Sequence, residues 1–286
     1  MIIDMHTHSF YSDGTLSPDD LVKEAAEVGL KCICLTDHDT LDGVLSVSET
    51  TSRYGVELIP GVELTTRYAG MNFHILGMGI DVKDTKLKTV LAKMSGERLG
   101  RAKTMSSLLR EHGWEVDVSS FSCSKGTVTT HDIAKAVTNR DVSSFDFHNE
   151  WLSSDSPCVV GTSSMPVKDA ISIIQKAGGK AVCAHLLRTL GEQGQVDCLL
   201  KIASDMVDMG IDGFETFYGQ SSMVNVSIMN SIADRYGLLK TGGSDYHGPG
   251  HKGRCPLGQY YSYGFDYDQE KVLQSVQVRP LLSCIP

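Results

Sequence analysis

The stretch that decides the fold is Met1-Ile2-Ile3-Asp4-Met5-His6-Thr7-His8, an apolar strand that ends in two histidines. Because side chains alternate between the two faces of a strand, His6 and His8 point the same way and can hold one cation between them. Asp13 follows shortly, and the cluster Thr36-Asp37-His38-Asp39-Thr40 comes directly after the apolar run Cys32-Ile33-Cys34-Leu35. Both clusters therefore lie where a strand ends.

The same arrangement recurs along the chain. Glu63 follows the apolar stretch 57–62, His185 closes the strand 180–184, and Asp245 and His247 follow the strand 239–242. His74 fits least well, because we expect it to start its strand. The nine candidate metal ligands are His6, His8, Asp13, His38, Glu63, His74, His185, Asp245 and His247. Such a mixture of imidazoles and carboxylates suits zinc, manganese or iron better than calcium, so we predict a multinuclear metal site.

In these blocks the chain resembles the PHP domain family, named for polymerase and histidinol phosphatase, and within it the stand-alone metal-dependent phosphoesterases. The resemblance covers residues 1 to 260. Its six ordered blocks are His6-Thr7-His8-Ser9 with Ser12-Asp13-Gly14, Leu35-Thr36-Asp37-His38-Asp39-Thr40, Pro60-Gly61-Val62-Glu63, His74-Ile75-Leu76-Gly77, Ala184-His185 and Gly243-Ser244-Asp245-Tyr246-His247-Gly248. It implies a distorted seven-stranded, TIM-like (β/α)7 barrel.

The pattern of strands and helices independently predicts an α/β fold. The predicted elements are strand 2–5, helix 18–29, strand 32–36, helix 41–54, strand 57–60, helix 166–177, strand 180–184, helix 194–209, strand 213–217, helix 221–236 and strand 239–242. Repeated strand and helix units favour a parallel sheet, and ligands at the carboxyl ends of strands favour a barrel with its site on that face. The alternation breaks between about residues 85 and 162. We therefore predict a barrel from residues 1–84 and 163–286 and a helical insertion, 85–162, that covers the active-site face.

The resemblance implies three metal positions and two to three divalent ions of manganese, zinc or iron. One position would use His6, His8, Glu63 and Asp245; the second would share Glu63 and add His74 and His185; the third would use Asp13, His38 and His247. A hydroxide between two cations about 3.5 to 4 Å apart would be the nucleophile. The candidate catalytic residues are Asp245, His38 and His247. Either histidine could assist the leaving oxygen.

The substrate is expected to be a small phosphorylated sugar or nucleotide, either a phosphomonoester or a cyclic phosphodiester. Arginine suits bidentate phosphate recognition. The candidate substrate-binding residues are Arg188, Arg98, Arg101 and Arg254. Arg98 and Arg101 share a face with core-type residues on one predicted helix. An equally good interpretation is a surface helix whose arginines extend their charged ends to solvent or pair with Glu97 and Glu111.

Two stretches depart from the family pattern. The family commonly has Ala-His-Pro after its fifth strand, whereas Leu186 follows Ala184-His185 here. In the insertion, relatives often show Thr-Arg-x-His, and here Thr130 replaces the arginine while His131 lies one place early. If this segment touches substrate, the preference differs from that of nucleotide-cleaving relatives.

Composition narrows the class of protein. The net charge of −9 argues against a long nucleic acid as substrate, although metal ions would still attract a small anion. No apolar stretch reaches the length that spans a bilayer, and we expect neither a membrane association nor a signal peptide, so the cytoplasm is the predicted location. The eight cysteines are best interpreted as buried free thiols. The sequence indicates no oligomeric state.

Two alternatives to a phosphoesterase remain open. A non-catalytic, metal-stabilised PHP module would tend to lose ligands, and all nine are present. An amidohydrolase-type enzyme acting on C–N bonds would often use a carboxylated lysine, and the sequence places no lysine at a strand end.

Overall fold

The computed structural model describes residues 3–47, 50–123, 126–153, 156–161, 164–249 and 255–276. Arg254, one of the four candidate phosphate-binding arginines, lies outside the described residues.

A nearly closed, barrel-shaped sheet of seven strands forms the centre of the molecule. The seven strands are β1 Ile3–Thr7, β2 Cys32–Leu35, β3 Glu57–Tyr68, β4 Met71–Met78, β6 Lys180–Cys183, β7 Gly213–Tyr218 and β8 Leu239–Gly243, and a short additional strand is β5 Met165–Pro166. Their order is β1-β2-β3-β4-β6-β7-β8, with the short β5 paired to the end of β3. A parallel bridge from Thr7 to Tyr246 brings the chain after β8 back to β1. The predicted distorted barrel is therefore confirmed.

The sheet is mixed, whereas the sequence predicted a parallel one. β3 continues far beyond residue 60 and forms a hairpin with β4, which is antiparallel to both β3 and β6. Ala69 and Gly70 make the two-residue turn with φ of 50° and 81°, as a hairpin with a primed turn requires. Because β4 runs against its neighbours, its amino-terminal half lies beside their carboxyl ends. His74 is thus in the middle of its strand and still reaches the face where the parallel strands end.

Helices pack around the barrel. They are α1 Pro18–Glu27, α2 Asp42–Ser46, α3 Thr50–Tyr54, α4 Thr85–Glu111, α5 Thr130–Ala136, α6 Ser144–Trp151, α7 Val167–Lys176, α8 Leu186–Glu192, α9 Leu199–Asp208, α10 Met223–Tyr236 and α11 Gln269–Ser275. Ser17 caps α1 as predicted. The single helix predicted over 41–54 is wrong, since Val47 is extended with ψ 130° and ends α2. The helix predicted over 194–209 begins only at Leu199.

The helix α4 joins two hydrophobic clusters. Its first turns contribute Leu87, Leu91 and Met94 to the cluster that packs β3 and β4 against α7 and α9. Its second half contributes Ala102, Met105 and Leu109 to a separate cluster formed by residues 102–158. α4 is continuous through Gly96 and Gly100, although glycine weakens a helix. No helix in the described part of the chain has both the length and the apolar character needed to cross a membrane.

Candidate metal centre

Glu63 is surrounded by five imidazoles at the carboxyl end of the barrel. Its Oε2 lies 3.2 Å from His6 Nε2, 3.1 Å from His8 Nε2 and 3.3 Å from His38 Nδ1. Its Oε1 lies 2.9 Å from His74 Nδ1 and 3.3 Å from His185 Nε2. Glu63 is 1% exposed. One buried carboxylate therefore collects nitrogen atoms from four segments of the chain.

A second group lies beside the first. Asp13 Oδ1 lies 3.3 Å from His247 Nε2, and Asp13 Oδ2 lies 3.7 Å from His38 Nε2. His8 joins this group as well as that of Glu63, since its Nδ1 lies 3.7 Å from Asp13 Oδ1. Three groups of side chains are each close enough together to hold one ion. They are His8, Asp13, His38 and His247; His6, His8 and Glu63; and His38, Glu63 and His74. The side chains that the family resemblance assigned to three metal positions thus form one continuous cluster.

Several atoms of this cluster are buried without a hydrogen bond of acceptable geometry. They are His8 Nε2, Asp13 Oδ1, His38 Nδ1, Glu63 Oε1 and His74 Nδ1. A buried polar atom without a partner is costly, so it needs a specific explanation. Lone pairs that converge on a shared space, from the nitrogen and oxygen donors that transition metals prefer, fit bound divalent cations. The cluster has the composition and geometry of a divalent metal site.

The charges of the cluster shift several pKa values. Burial works against ionisation of Glu63, but His38, His6, His74 and His185 keep its pKa well below the ordinary value. Burial likewise disfavours the charged form of His8, yet Asp245 and Glu63 raise its pKa to about 10. Burial lowers the pKa of His38 to about 3, against the attraction of Glu63 and Asp13. The carboxylates therefore stay ionised and draw positive charge into the cluster, while His38 keeps a free lone pair.

Asp245 faces the cluster with one oxygen and the barrel rim with the other. Its Oδ1 lies 3.4 Å from both His6 Nε2 and His8 Nε2. Its Oδ2 accepts hydrogen bonds from Arg188 Nη1 at 3.1 Å and Tyr218 Oη at 3.2 Å. The two oxygens are thus fixed in different environments, and Oδ1 is the one directed into the histidine cluster.

Backbone strain is concentrated around this site. Asp39, His185 and Asp245 have φ of 52°, 29° and 55°, the left-handed region that residues other than glycine rarely adopt. His185 adopts this conformation as the N-cap residue of α8, two residues after β6 ends, and Leu186 is the first residue of that helix. Residues held in such conformations often belong to functional sites.

Three buried carboxylates support the ligands and were not assigned a function from the sequence. Glu215 in β7 contacts His6 Nδ1 at 3.0 Å and accepts from the backbone N–H of His185 at 2.9 Å. Asp4 accepts from the backbone N–H groups of His6 and Ser244, and Asp37 accepts from the Ser9 N–H and hydroxyl. The available signal was a charged residue inside an apolar strand, Gly213-Phe214-Glu215-Thr216-Phe217.

The predicted phosphate-binding arginines occupy different settings. Arg98 Nε donates to Asp39 Oδ2 at 2.7 Å, so it does not pair with Glu97 or Glu111. Arg101 Nε donates to the carbonyl of Val160 at 3.0 Å, and burial beside Arg98 lowers its pKa. Arg188 contacts Glu192, Tyr218 and Asp245.

The altered insertion segment lies next to the cluster. Thr127 N donates to the Tyr11 carbonyl at 3.0 Å, which places the segment beside the loop that carries Asp13. The rings of His131 and His148 stack with their centroids 4.1 Å apart, and Thr130 Oγ1 lies 2.8 Å from His148 Nε2. The stacked pair of His131 and His148 therefore lies beside Thr130, in the part of the chain that contacts the Asp13 loop.

Comparison with known proteins agrees with this geometry. A family model described as the PHP domain matches residues 4–196. The chain belongs to the PHP domain family. It is 29% identical to a phosphoribosyl 1,2-cyclic phosphate 1,2-diphosphodiesterase of Eggerthella lenta, over 87% of this chain and 95% of that one. It is 30% identical to a 3′,5′-nucleoside bisphosphate phosphatase of Chromobacterium violaceum, over 88% and 89%.

Two further PHP relatives bear on the fold and the substrate. A crystal structure of a candidate metal-dependent phosphoesterase from Bifidobacterium adolescentis superposes with a TM-score of 0.82 at 27% identity, covering 96% of this chain and 95% of that chain. The 5′-3′ exoribonuclease Rnm of Escherichia coli is 28% identical, over 90% of this chain and 87% of that protein. Nucleic-acid ends thus belong to the substrates found among the relatives, so the acidic charge of the chain alone does not decide against them.

Proposed function

We propose that this PHP protein is a metal-dependent phosphoesterase that hydrolyses small phosphate esters. The observation that carries the proposal is the buried Glu63 carboxylate with five imidazoles around it. Several nitrogen and oxygen atoms of this cluster have no hydrogen-bond partner and face the same space. The relatives named as phosphodiesterase and phosphatase support the type of bond that is cleaved.

The proposal assigns two to three ions of manganese, zinc or iron to the nine ligands predicted from the sequence. His6, His8, Glu63 and Asp245 would hold one ion, and Glu63, His74 and His185 a second. Asp13, His38 and His247 would hold a third, next to His8. Bound divalent ions would lower the pKa of water and offset the charge of the phosphoryl oxygens. Glu63 is the bridging ligand in this assignment because each of its oxygens faces a different set of histidines.

Hydrogen bonds on the far side of the rings orient the ligands. Three histidines have an oxygen next to Nδ1: Glu215 Oε1 for His6 at 3.0 Å, Thr189 Oγ1 for His185 at 2.9 Å and the Asp245 carbonyl for His247 at 2.7 Å. For His6 and His247 the acceptor favours a proton on Nδ1, which leaves the Nε2 lone pair directed into the cluster. These contacts select the ring nitrogen that is available for a cation.

The protonation state of His38 bears on whether it acts as a ligand or as a proton donor. The pKa of about 3 keeps His38 neutral at physiological pH, which favours a ligand over a proton donor. His247 Nδ1 donates to the Asp245 carbonyl, so this pair couples the two candidate catalytic residues of the last strand end. Asp245 would offer Oδ1 to a bound ion, while Arg188 and Tyr218 donate hydrogen bonds to its Oδ2.

The substrate is a phosphorylated sugar or nucleotide of low molecular weight. Two of the relatives are named for activity on a phosphoribosyl cyclic phosphate and on a nucleoside bisphosphate. Arg188 borders Asp245 and is 29% exposed, so it is the arginine best placed to meet a phosphate. Arg101 pairs with a backbone carbonyl and stays a second candidate, whereas Arg98 is committed to Asp39. No long nucleic acid is expected, and oligonucleotide ends belong in the substrate test.

A hydrolysis screen that follows both released phosphate and the organic products tests the proposal, because cleavage of a phosphodiester bond need not free inorganic phosphate. Protein loaded with Mn²⁺, Zn²⁺ or Fe²⁺ would be assayed on cyclic sugar phosphates, nucleoside 3′,5′-bisphosphates, monophosphates and short 5′-phosphorylated oligonucleotides. We expect turnover of at least one small ester and none by Glu63→Gln, with exposed Glu57→Gln as the matched control on the same strand. Stable metal binding without turnover of any ester would favour a non-catalytic module.

The geometry favours a phosphoesterase over the C–N hydrolase alternative, although a solved structure described as an amidohydrolase from Chromobacterium violaceum has the same fold, with a TM-score of 0.82 at 25% identity over 98% of both chains. Among the described residues, the ion-pair partners of Glu63 are five imidazoles and include no lysine that could be carboxylated. Cleavage of an amide or cyclic imide, with no phosphate ester hydrolysed, would overturn the proposed function.

A further inference from the structure

Asp39 fixes the loop that carries His38. It follows His38 directly, is 1% exposed and has a left-handed backbone with φ 52°. Its Oδ1 accepts from the backbone N–H of Thr65 at 2.8 Å, and its Oδ2 accepts from the Thr65 hydroxyl at 2.8 Å. Its own N–H donates to the Glu63 carbonyl at 3.0 Å. Asp39 thereby ties the His38 loop to the strand that carries Glu63.

Arg98 completes this arrangement from the insertion. Its Nε donates to Asp39 Oδ2 at 2.7 Å and its Nη2 donates to the Thr65 hydroxyl at 2.8 Å. Its side chain is 10% exposed. Arg98 lies on α4 between Met94, which packs on the barrel, and Ala102, which packs in the insertion cluster. Its guanidinium is therefore the charged contact that links the insertion helix to the base of the His38 loop.

We propose that Arg98 is a positioning residue that acts through Asp39 to hold His38 in place as a metal ligand. A buried, ionised Asp39 without its guanidinium partner would be uncompensated, so the strained loop would relax toward solvent and move His38 relative to Glu63 and Asp13. The insertion then contributes to metal binding without donating a ligand. The expected effect of Arg98 on metal binding does not depend on the reaction. Only an effect on turnover rests on the proposed function.

The contacts of Arg98 distinguish this assignment from a phosphate-binding one. Charge-assisted hydrogen bonds to Asp39 and the contact with Thr65 already occupy Nε and Nη2. A phosphate-binding arginine would be free to turn toward substrate, and its loss would raise KM without changing metal content. A positioning residue predicts the opposite pattern.

Co²⁺ titration of the full-length, metal-free chain, followed by visible absorption, tests the proposal. In Arg98→Met we expect the Co²⁺ equivalent that depends on His38 to bind about 10- to 100-fold more weakly, the range typical of groups that support metal ligands. The remaining equivalents should bind as in the unaltered protein. Arg98→Lys keeps the charge and should recover part of the loss.

A matched control lies on the same helix. Arg110 Nη2 donates to the Val116 carbonyl inside the insertion, away from Asp39, so Arg110→Met should leave the titration unchanged. Asp39→Asn should reproduce the loss, and the double variant Asp39→Asn/Arg98→Met should lose no more than either single one, because the two residues act as one unit.

Unaltered Co²⁺ binding in Arg98→Met, with a folded chain by thermal melting, would overturn the proposal. Losses of Co²⁺ affinity that add up in the double variant would also overturn the proposal. If Arg98→Met melts too early to measure, Arg98→Lys and Asp39→Asn decide the matter. A chain that binds Co²⁺ as described but hydrolyses no phosphate ester would refute the proposed function and leave this inference standing.

Discussion

Arg188 and Asp245 are joined at the rim of the metal centre by a hydrogen bond of 3.1 Å from Nη1 to Oδ2, while Asp245 Oδ1 faces His6 and His8. Glu192 and the Tyr218 hydroxyl also contact this guanidinium. Arg188 therefore lies where it can contact both the proposed metal ligand Asp245 and an approaching phosphate. Support of Asp245 and binding of a substrate phosphate predict different effects when the Arg188 side chain is removed.

Arg188→Ala should raise KM about tenfold with metal content unchanged, since Tyr218 still holds Asp245 Oδ2 at 3.2 Å. The loss should be largest for a bisphosphate, whose second phosphate would position the reacting ester. Steady-state kinetics on mono- and bisphosphorylated substrates, with metal analysis, measures this. Glu192→Gln serves as the control that keeps the guanidinium. Equal losses for both substrates, together with reduced metal content, would instead assign Arg188 to the support of Asp245.

Asp245→Asn should lower turnover by at least about 100-fold while KM changes little. The substitution removes negative charge beside the ions, and the loss then falls mainly in the transition state. Asparagine tolerates the left-handed backbone that Asp245 adopts, so the fold should be retained. Kinetics and thermal melting check this; an unchanged turnover number would show that Asp245 is no part of the catalytic machinery.

Glu215→Gln should weaken metal binding or activity by about 10- to 100-fold. Glutamine can still accept from the His185 N–H, but it no longer gives His6 Nδ1 a charged acceptor, which lowers the basicity of Nε2. Titration with Mn²⁺ and a comparison of melting temperatures would measure the change. Exposed Glu57→Gln is again the control, and identical Mn²⁺ affinity in both variants would contradict the assignment.

Removal of metal should abolish activity and lower the melting temperature. Glu63, Asp13 and Asp245 lie close together and at most 9% exposed, and a bound cation would compensate their charge. Ligand present at about 100 times its dissociation constant stabilises a fold by about 2.7 kcal/mol. We expect about two to three equivalents of transition metal in the purified protein and a Tm that rises on adding Mn²⁺. A metal-free chain with full activity would refute the metal mechanism.

The burial of Cys183 should make it inert. Burial raises the pKa of this thiol, and the charges of Glu215 and Glu63 raise it further. Alkylation followed by peptide mass spectrometry should show slower labelling of Cys183 than of the partly exposed Cys198 in the folded chain. Fast labelling of Cys183 that metal suppresses would indicate a ligand that the sequence interpretation assigned to core packing.

The sequence by itself predicted which nine side chains gather at one end of the barrel, because those residues lie in short local motifs at the ends of strands. Periodicity and the position of His6-Thr7-His8 after an apolar strand were enough to predict a barrel with its site on one face. The nine predicted ligands are brought together at that face.

Only the tertiary structure decided the direction of β4, the partners of the arginines and the buried carboxylates behind the ligands. The hairpin turn at Ala69-Gly70 carries a weak sequence signal, so β4 was not recognised as antiparallel. Arg98 meets Asp39 across 59 positions, and His6 meets Glu215 across 209. Local propensity contains no information about such pairs, because they exist only once the barrel closes and the insertion packs on it.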